Sequence, residues 1–196
     1  MKRHVRQLLA VSLVVSAFTF SAGARAQDNA IGQASPEESG PHQISDQDRL
    51  FAREIAIGGR AEVEDSRLAT GRINASAPRK FAERMVRDHS KANDQLVSLA
   101  KADGIALPDS LDPETRAKNR RLHDLNGTAF ELAYIDGQIA DHQKTTQLLE
   151  WEIDSGKNPQ LKQFAVENLP VVFEHLQMAR DLKAQMTGAA PSSSAP

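Results

Sequence analysis

Four residues of types that bind metal ions stand near the middle of four predicted long helices. They are Glu62, His89, His142 and His175, and each falls on the apolar stripe that should face the core of a bundle. A residue at a helix midpoint stays at the bundle midplane whichever way its helix runs, so the four side chains can converge under several topologies. Imidazole and carboxylate groups suit borderline divalent ions, so this set predicts a single four-ligand site for Zn, Mn, Fe, Cu or Ni.

The same four groups also have a metal-free interpretation. In that case the Glu62 carboxylate accepts hydrogen bonds from the buried imidazoles, and the polar layer fixes the register of the helices. An acid precedes each histidine, at Asp88, Asp141 and Glu174. Because neighbouring residues of a helix point about 100° apart, we expect these acids at the flank of the stripe and not beside an ion. The residues alone leave both interpretations open.

Capping residues, stop signals and apolar spacing predict an all-α chain, because the alternation typical of strands is almost missing. Proline in the first turn and glycine after the last mark several helix ends. The four long helices are expected from Ser45 to about Thr70, from about Ala77 to Asp103, from about Thr128 to Asp154, and from Asn158 to about Met186.

The connection between the second and third long helices is much longer than a helical hairpin needs. It runs from Gly104 to Asn126 and contains a short helix, whose start is indicated by Asp112 and Pro113. A segment of this length can travel along the side of a bundle and make the two long helices parallel, as in ferritin-like folds with one long crossover. We therefore predict a ferritin-like four-helix bundle with a short helix in its crossover.

The two ends of the chain differ from this helical region. Residues 1–26 are typical of a signal peptide, with a basic start, an apolar run over residues 8–20 and a cleavage signal of small residues ending at Ala26. Residues 27–43 and 188–196 mix Gly, Pro and Ser without periodicity and are predicted to be disordered. This leaves residues 44–187 as the bundle domain. The mature protein is expected in the periplasm or outside the cell.

Composition limits the classes of partner. Without residues 1–26 the chain carries 20 basic and 26 acidic residues, a net charge of about −6. Nucleic acids attract basic surfaces, so this balance disfavours them as partners. After the predicted signal peptide, the sequence contains no apolar run long enough to span a membrane. The chain has no cysteine, so burial must hold the fold together. A protein partner in the cell envelope stays open, and the sequence does not give an oligomeric state.

Four segments resemble a bacterial family of exported ferritin-like bundles. They are GGRAEVE (58–64), MVRDHSKAND (85–94), ADHQKTTQLLEWE (140–152) and LPVVFEHLQMA (169–179). This family is usually catalogued as a domain of unknown function and is often labelled an outer membrane protein. Its pattern falls on Glu62, His89, His142 and His175. The resemblance therefore implies the same fold and the same site residues, but it implies no activity.

The sequence departs from the dinuclear carboxylate sites of many ferritin-like proteins. Those sites use Glu-x-x-His pairs, whereas Val86, Ile139 and Val172 stand three residues before the three histidines. Where a metal binds, we therefore expect a single ion. The ligand layer comes without an obvious nucleophile or substrate cleft, so we expect a protein that acts in binding or in envelope stress protection rather than in turnover. The alternatives are a metal-free structural or protein-interaction module and a redox metalloenzyme that acts on peroxide or oxygen.

Overall fold

The computed structural model describes residues 44–188, which form five helices. The predicted signal peptide, the predicted linker at 27–43 and all of the predicted tail except Gly188 lie outside the described residues. The all-α prediction is confirmed, with four long helices and a short helix between the second and third of them. The helices are α1 (Asp46–Arg72), α2 (Ser76–Ala102), α3 (Pro113–His123), α4 (Gly127–Ser155) and α5 (Pro159–Thr187).

Local hydrogen bonds explain where two of the long helices begin. At the start of α1, the Ser45 hydroxyl accepts a hydrogen bond from the Asp48 backbone, and the Asp48 carboxylate accepts one from the Ser45 backbone. At the start of α5, the Asn158 side chain accepts hydrogen bonds from the backbone N–H groups of Gln160 and Leu161. Both caps occupy the positions that the sequence predicts.

Cross-helix pairs define the direction of each long helix. The side chain of Gln47 donates to the carbonyl of Trp151 at 3.1 Å, so the beginning of α1 lies beside the end of α4. A short connection joins α1 to α2, which makes these two helices antiparallel. Since α1 is antiparallel to both helices, α2 and α4 are parallel. A short connection also joins α4 to α5, so α5 runs opposite to both of them. The structure thus has the arrangement that the long crossover predicts.

The crossover helix α3 packs against α1 and α4. Before α3 begins, the Pro108 carbonyl accepts a hydrogen bond from Arg60 of α1 at 3.0 Å. Within α3, the Lys118 ammonium forms an ion pair with Asp141 of α4, and Leu122 is buried in the core. These contacts hold the connection along the side of the bundle.

Two apolar clusters fill the interior of the bundle, and the histidines lie between them along the helices. On α4, Leu149 belongs to the first cluster and Tyr134 to the second, and His142 stands between them. The first cluster includes Phe51, Leu96, Leu149, Leu161 and Phe164, and the second includes Phe81, Met85, Phe130, Tyr134 and Ile135. The polar layer therefore divides an otherwise apolar core. None of the helices in residues 44–188 combines the length and apolar content needed to cross a membrane.

Candidate metal centre

Three of the four predicted ligands meet in the middle of the bundle. His89 Nε2 lies 3.3 Å from His142 Nε2, and His142 Nε2 lies 3.4 Å from His175 Nδ1. One nitrogen atom from each ring lies within 4.8 Å of the other two. His89 lies on α2 and His142 on α4, which run parallel, and His175 lies on α5, which runs opposite to both. The three histidines are distant in sequence but lie at the same height along the bundle.

Hydrogen bonds on the outer side of two rings fix the positions of their protons. His142 Nδ1 lies 2.8 Å from the carbonyl oxygen of Gln138, and His175 Nε2 lies 2.9 Å from a carboxylate oxygen of Asp88. Both oxygens are acceptors, so each of these nitrogens must carry the hydrogen and donate. In the neutral rings, His142 Nε2 and His175 Nδ1 then carry lone pairs, which face each other at 3.4 Å.

Burial keeps the three imidazoles neutral. His142 and His175 are each 1% exposed, whereas His89 keeps part of its surface accessible. Burial lowers the pKa of His142 to about 4. Burial, and then the neighbouring histidines, lowers the pKa of His89 well below its ordinary value. Burial also lowers the pKa of His175, although Asp88 opposes this effect. At neutral pH the site thus offers uncharged nitrogen ligands, the form that metals bind.

The Asp88 carboxylate is part of a network that orients His175. Arg84 donates to Asp88 at 3.1 Å and makes two hydrogen bonds of 2.7 Å to the carboxylate of Glu174. Burial alone would raise the pKa of Asp88, but its hydrogen bonds with His175 and Arg84 outweigh burial and lower it. Asp88 is therefore ionised and holds the imidazole of His175 by a charge-assisted bond.

Glu62 is buried near the histidines, but its carboxyl group does not join their nitrogen cluster in the structure. It accepts a hydrogen bond from the side-chain amide of Gln138, the residue whose backbone carbonyl holds His142. Burial, and then the nearby charge of Asp141, raises the pKa of Glu62 well above its ordinary value. Burial thus favours the neutral form of Glu62, which lies in a second polar layer behind His142. Its role as a metal ligand stays a prediction.

The acids that precede the histidines lie at the flank of the cluster, as expected, and each has a definite partner. Asp141 pairs with Lys118 of α3 and Glu174 pairs with Arg84, whereas Asp88 bonds to His175 of another helix. Sequence reasoning did not find Asp88 or Gln138 as supporting residues. A signal for Gln138 was present, because it is a polar residue one turn before His142 on the inner face of α4. For Asp88 the partner depends on how α2 and α5 are placed, which the sequence does not give.

The fold and this cluster define a class of protein: a helical bundle with a buried three-histidine centre. The chain belongs to a protein family described as a domain of unknown function, DUF4142, which matches residues 33–182. Comparison with curated proteins gave no match.

Two solved structures have the same fold. A DUF305 fragment from Deinococcus radiodurans is 13% identical to this chain with a TM-score of 0.66, and the match covers 72% of this chain and 98% of that one. A DUF305 protein from Streptomyces coelicolor, whose description presents it as secreted, is 18% identical with a TM-score of 0.63, over 74% and 94% of the two chains. At such low identity the likeness shows the fold alone.

Proposed function

We propose that this protein binds one divalent transition-metal ion through His89, His142 and His175. The proposal rests on one observation. His142 Nε2 and His175 Nδ1 lie 3.4 Å apart, and their lone pairs face each other. Both rings are held in this orientation by acceptors on their outer sides. A buried acceptor without a donor is costly, and an ion placed between the rings would satisfy every inward-facing nitrogen at once.

A metal-free network satisfies these nitrogens less well. His89 Nε2 lies 3.3 Å from His142 Nε2, so a hydrogen on His89 Nε2 could be donated to one of the two lone pairs. A neutral His89 has only one ring hydrogen, so it cannot serve both nitrogens. An added proton could bridge the rings, but burial lowers the pKa of His142 to about 4 and opposes this state at neutral pH.

The spacing of the nitrogens suits a tetrahedral ion. Metal–nitrogen bonds of about 2.0 to 2.1 Å in a tetrahedron place neighbouring ligand atoms about 3.3 to 3.4 Å apart. The two shortest nitrogen–nitrogen distances here are 3.3 and 3.4 Å. An all-imidazole set favours Cu²⁺, Zn²⁺ and Ni²⁺ over Mn²⁺, which prefers oxygen ligands. Glu62 would have to leave Gln138 to become a fourth ligand.

The proposed role is metal binding in the cell envelope, where the protein would protect against metal-linked stress by holding the ion. The basic start, apolar run and small-residue signal of residues 1–26 support export. The secreted description of the Streptomyces coelicolor protein with the same fold agrees with it. A buried site with only one partly accessible ligand favours retention of an ion over rapid turnover.

The test is elemental analysis of the mature protein, purified from the periplasm without chelator and again after loading with zinc, copper or nickel. We expect close to one ion per chain, its loss in His142→Ala, and its retention in His123→Ala, which changes an exposed histidine on α3. Circular dichroism should show that both variants are folded. Metal retained by His142→Ala would exclude this centre as the binding site.

Two further results would separate the alternatives. If the folded protein takes up none of these ions, the histidines form a polar layer that fixes helix register, and a protein partner becomes the better hypothesis. Loss of metal in Glu62→Gln as well as in His142→Ala would make Glu62 the fourth ligand. Retention in Glu62→Gln would limit Glu62 to supporting Gln138.

A further inference from the structure

A small cavity lies beside the histidine cluster and extends from it along the bundle. Side chains of α1, α2, α4 and α5 all line it, including His89 and His175. Apart from Asp88, which is bonded to His175, the other lining residues of these three helices follow His89 on α2, follow His142 on α4 and precede His175 on α5. Because α5 runs opposite to α2 and α4, all of these lie on one side of the histidine layer. The cavity therefore opens toward the end of the bundle that holds Phe164 and Leu149.

The opposite side of the histidine layer is closed. There the Gln138 carbonyl accepts the hydrogen from His142 Nδ1, and the Gln138 amide is bonded to Glu62. Gln138 is 2% exposed and Glu62 is 5% exposed, so these groups fill that side. While Glu62 stays bonded to Gln138, an ion held by three imidazoles has room for an external fourth ligand on the cavity side.

Two asparagines and a threonine give the apolar cavity a few neutral polar groups. Asn93, Thr145 and Asn168 line it together with residues such as Val172. Asn93 packs closely on α1, since a Cβ atom at Gly59 would lie 2.1 Å from Asn93 Oδ1. The lining includes no lysine or arginine, and its only acid is Asp88, which is bonded to His175. This wall suits a neutral or singly charged ligand and offers nothing to hold a multiply charged anion.

The size of the cavity limits the ligand further. Its volume is about 40 Å³, whereas one water molecule needs about 10 to 15 Å³ on the same scale. A ligand of two or three non-hydrogen atoms fits, and an aromatic or sugar-sized molecule does not.

We propose that the bound ion keeps one exchangeable coordination position that faces this cavity. This position takes a neutral or singly charged ligand of two or three non-hydrogen atoms, such as dioxygen, hydroperoxide or azide. This inference rests on the proposed metal site and adds the ligand class. A site closed on one side and open to a small cavity on the other is the arrangement in which a metal can bind an external ligand.

The test uses the full mature protein loaded with cobalt, whose visible spectrum responds to a change of ligand, and azide as the probe. Elemental analysis first establishes that cobalt is bound one to one. Azide should then change the spectrum saturably, with one azide per cobalt. Imidazole, which is larger than the cavity, should not compete with azide.

A matched pair of variants locates the open position. Ala92→Val adds two methyl groups to the cavity wall, whereas Ala133→Val makes the same change beside a different cavity near α3. Ala92→Val should keep cobalt but weaken azide binding by at least about tenfold, the equivalent of about 1.4 kcal/mol. Ala133→Val should bind azide like the unchanged protein. Val172→Ile adds one methylene group to the wall of the same cavity. It serves as the second variant if Ala92→Val does not fold.

Each outcome distinguishes the two proposals. Cobalt bound without any azide response would overturn the open position and leave the metal site intact. Equal azide affinity in the unchanged protein and in the folded cavity variant would show that the position faces elsewhere, and would overturn the assignment to this cavity. Failure to bind cobalt, nickel, copper or zinc at all would instead overturn the proposed function, before azide is added.

Discussion

Glu152 is a buried carboxyl group whose ionisation should control the stability of the bundle. It lies near the end of α4 and is 0% exposed, and among the described residues no group donates a hydrogen bond to either of its oxygens. Burial, and then the neighbouring carboxylate of Asp48, raises the pKa of Glu152 to about 8. Burial would also raise the pKa of Asp48, but hydrogen bonds led by those from Ser45 outweigh it and lower that pKa. A protonated Glu152 beside an ionised Asp48 can donate a hydrogen bond to it.

The sign of the pH effect follows from the two states of the chain. The ordinary pKa of a glutamate is 4.5, against about 8 for Glu152 in the folded protein. Between these values the unfolded chain has lost the proton and the folded chain keeps it. The free energy of unfolding therefore falls as pH rises, by up to about 1.4 kcal/mol per pH unit.

The difference between these two pKa values sets an upper limit of about 5 kcal/mol on the loss of stability. Groups at the end of a bundle can relax when a carboxylate forms, and this relaxation reduces the loss below the upper limit. We therefore expect about 2 to 3 kcal/mol, nearly all of it lost by about pH 8.

Replacing Glu152 with Gln tests this reasoning, because the amide has nearly the same shape, does not titrate and can donate to Asp48. Urea unfolding of the metal-free protein, followed by circular dichroism from about pH 4 to about pH 9, gives the free energy at each pH. The unchanged protein should lose about 2 to 3 kcal/mol relative to Glu152→Gln over this range. Glu150→Gln, at an exposed neighbouring position, is the control and should follow the unchanged protein. Parallel pH curves for the unchanged protein and Glu152→Gln would refute the assignment of a raised pKa to Glu152.

Two other predictions concern the metal centre and the helix contact beside it. Asp88→Ala removes the acceptor that orients His175. The affinity for zinc, measured by competition with a chromophoric chelator, should therefore fall by about 10- to 100-fold. An unchanged affinity would show that His175 needs no such support. A Cβ atom at Gly58 meets nothing within 4 Å, whereas one at Gly59 would lie 2.1 Å from Asn93 Oδ1. Gly58→Ala should therefore stabilise the protein by about 1 kcal/mol in urea unfolding, and Gly59→Ala should give less than this or destabilise it; equal gains would contradict the close contact at Asn93.

Local signals in the sequence predicted the helices well, because caps and apolar spacing act over a few residues. The cap at Ser45 and Asp48 is such a signal. Asp48 also accepts hydrogen bonds from the backbone N–H groups of Lys157 and Asn158, at 2.8 and 3.1 Å. This second role joins the start of α1 to the connection between α4 and α5. No local pattern could predict it, because the partners are more than a hundred residues apart.

The candidate site was predicted only as far as helix geometry allows. A midpoint position gives the height of a side chain along a bundle, and this was enough to place His89, His142 and His175 at one level. It does not give the rotation of each helix about its axis. That rotation directs the Glu62 carboxyl group to Gln138 and not into the histidine cluster. The same limit explains why Asp88, next to His89 in the chain, supports His175.

The position of the polar layer between two apolar clusters bears on what the histidines are for. Residues such as Phe164 on one side and Phe81 on the other supply the buried apolar surface of a chain that has no cysteine. The fold therefore does not depend on the three imidazoles for burial, and an apolar layer in their place would avoid the desolvation of buried polar groups. If the histidines only set helix register, one polar pair would suffice. Three neutral rings with two of their protons held on the outer side, and a small cavity on one side only, fit an ion-binding layer better. That interpretation makes His142→Ala informative, because the two apolar clusters should keep the variant folded while its metal is lost.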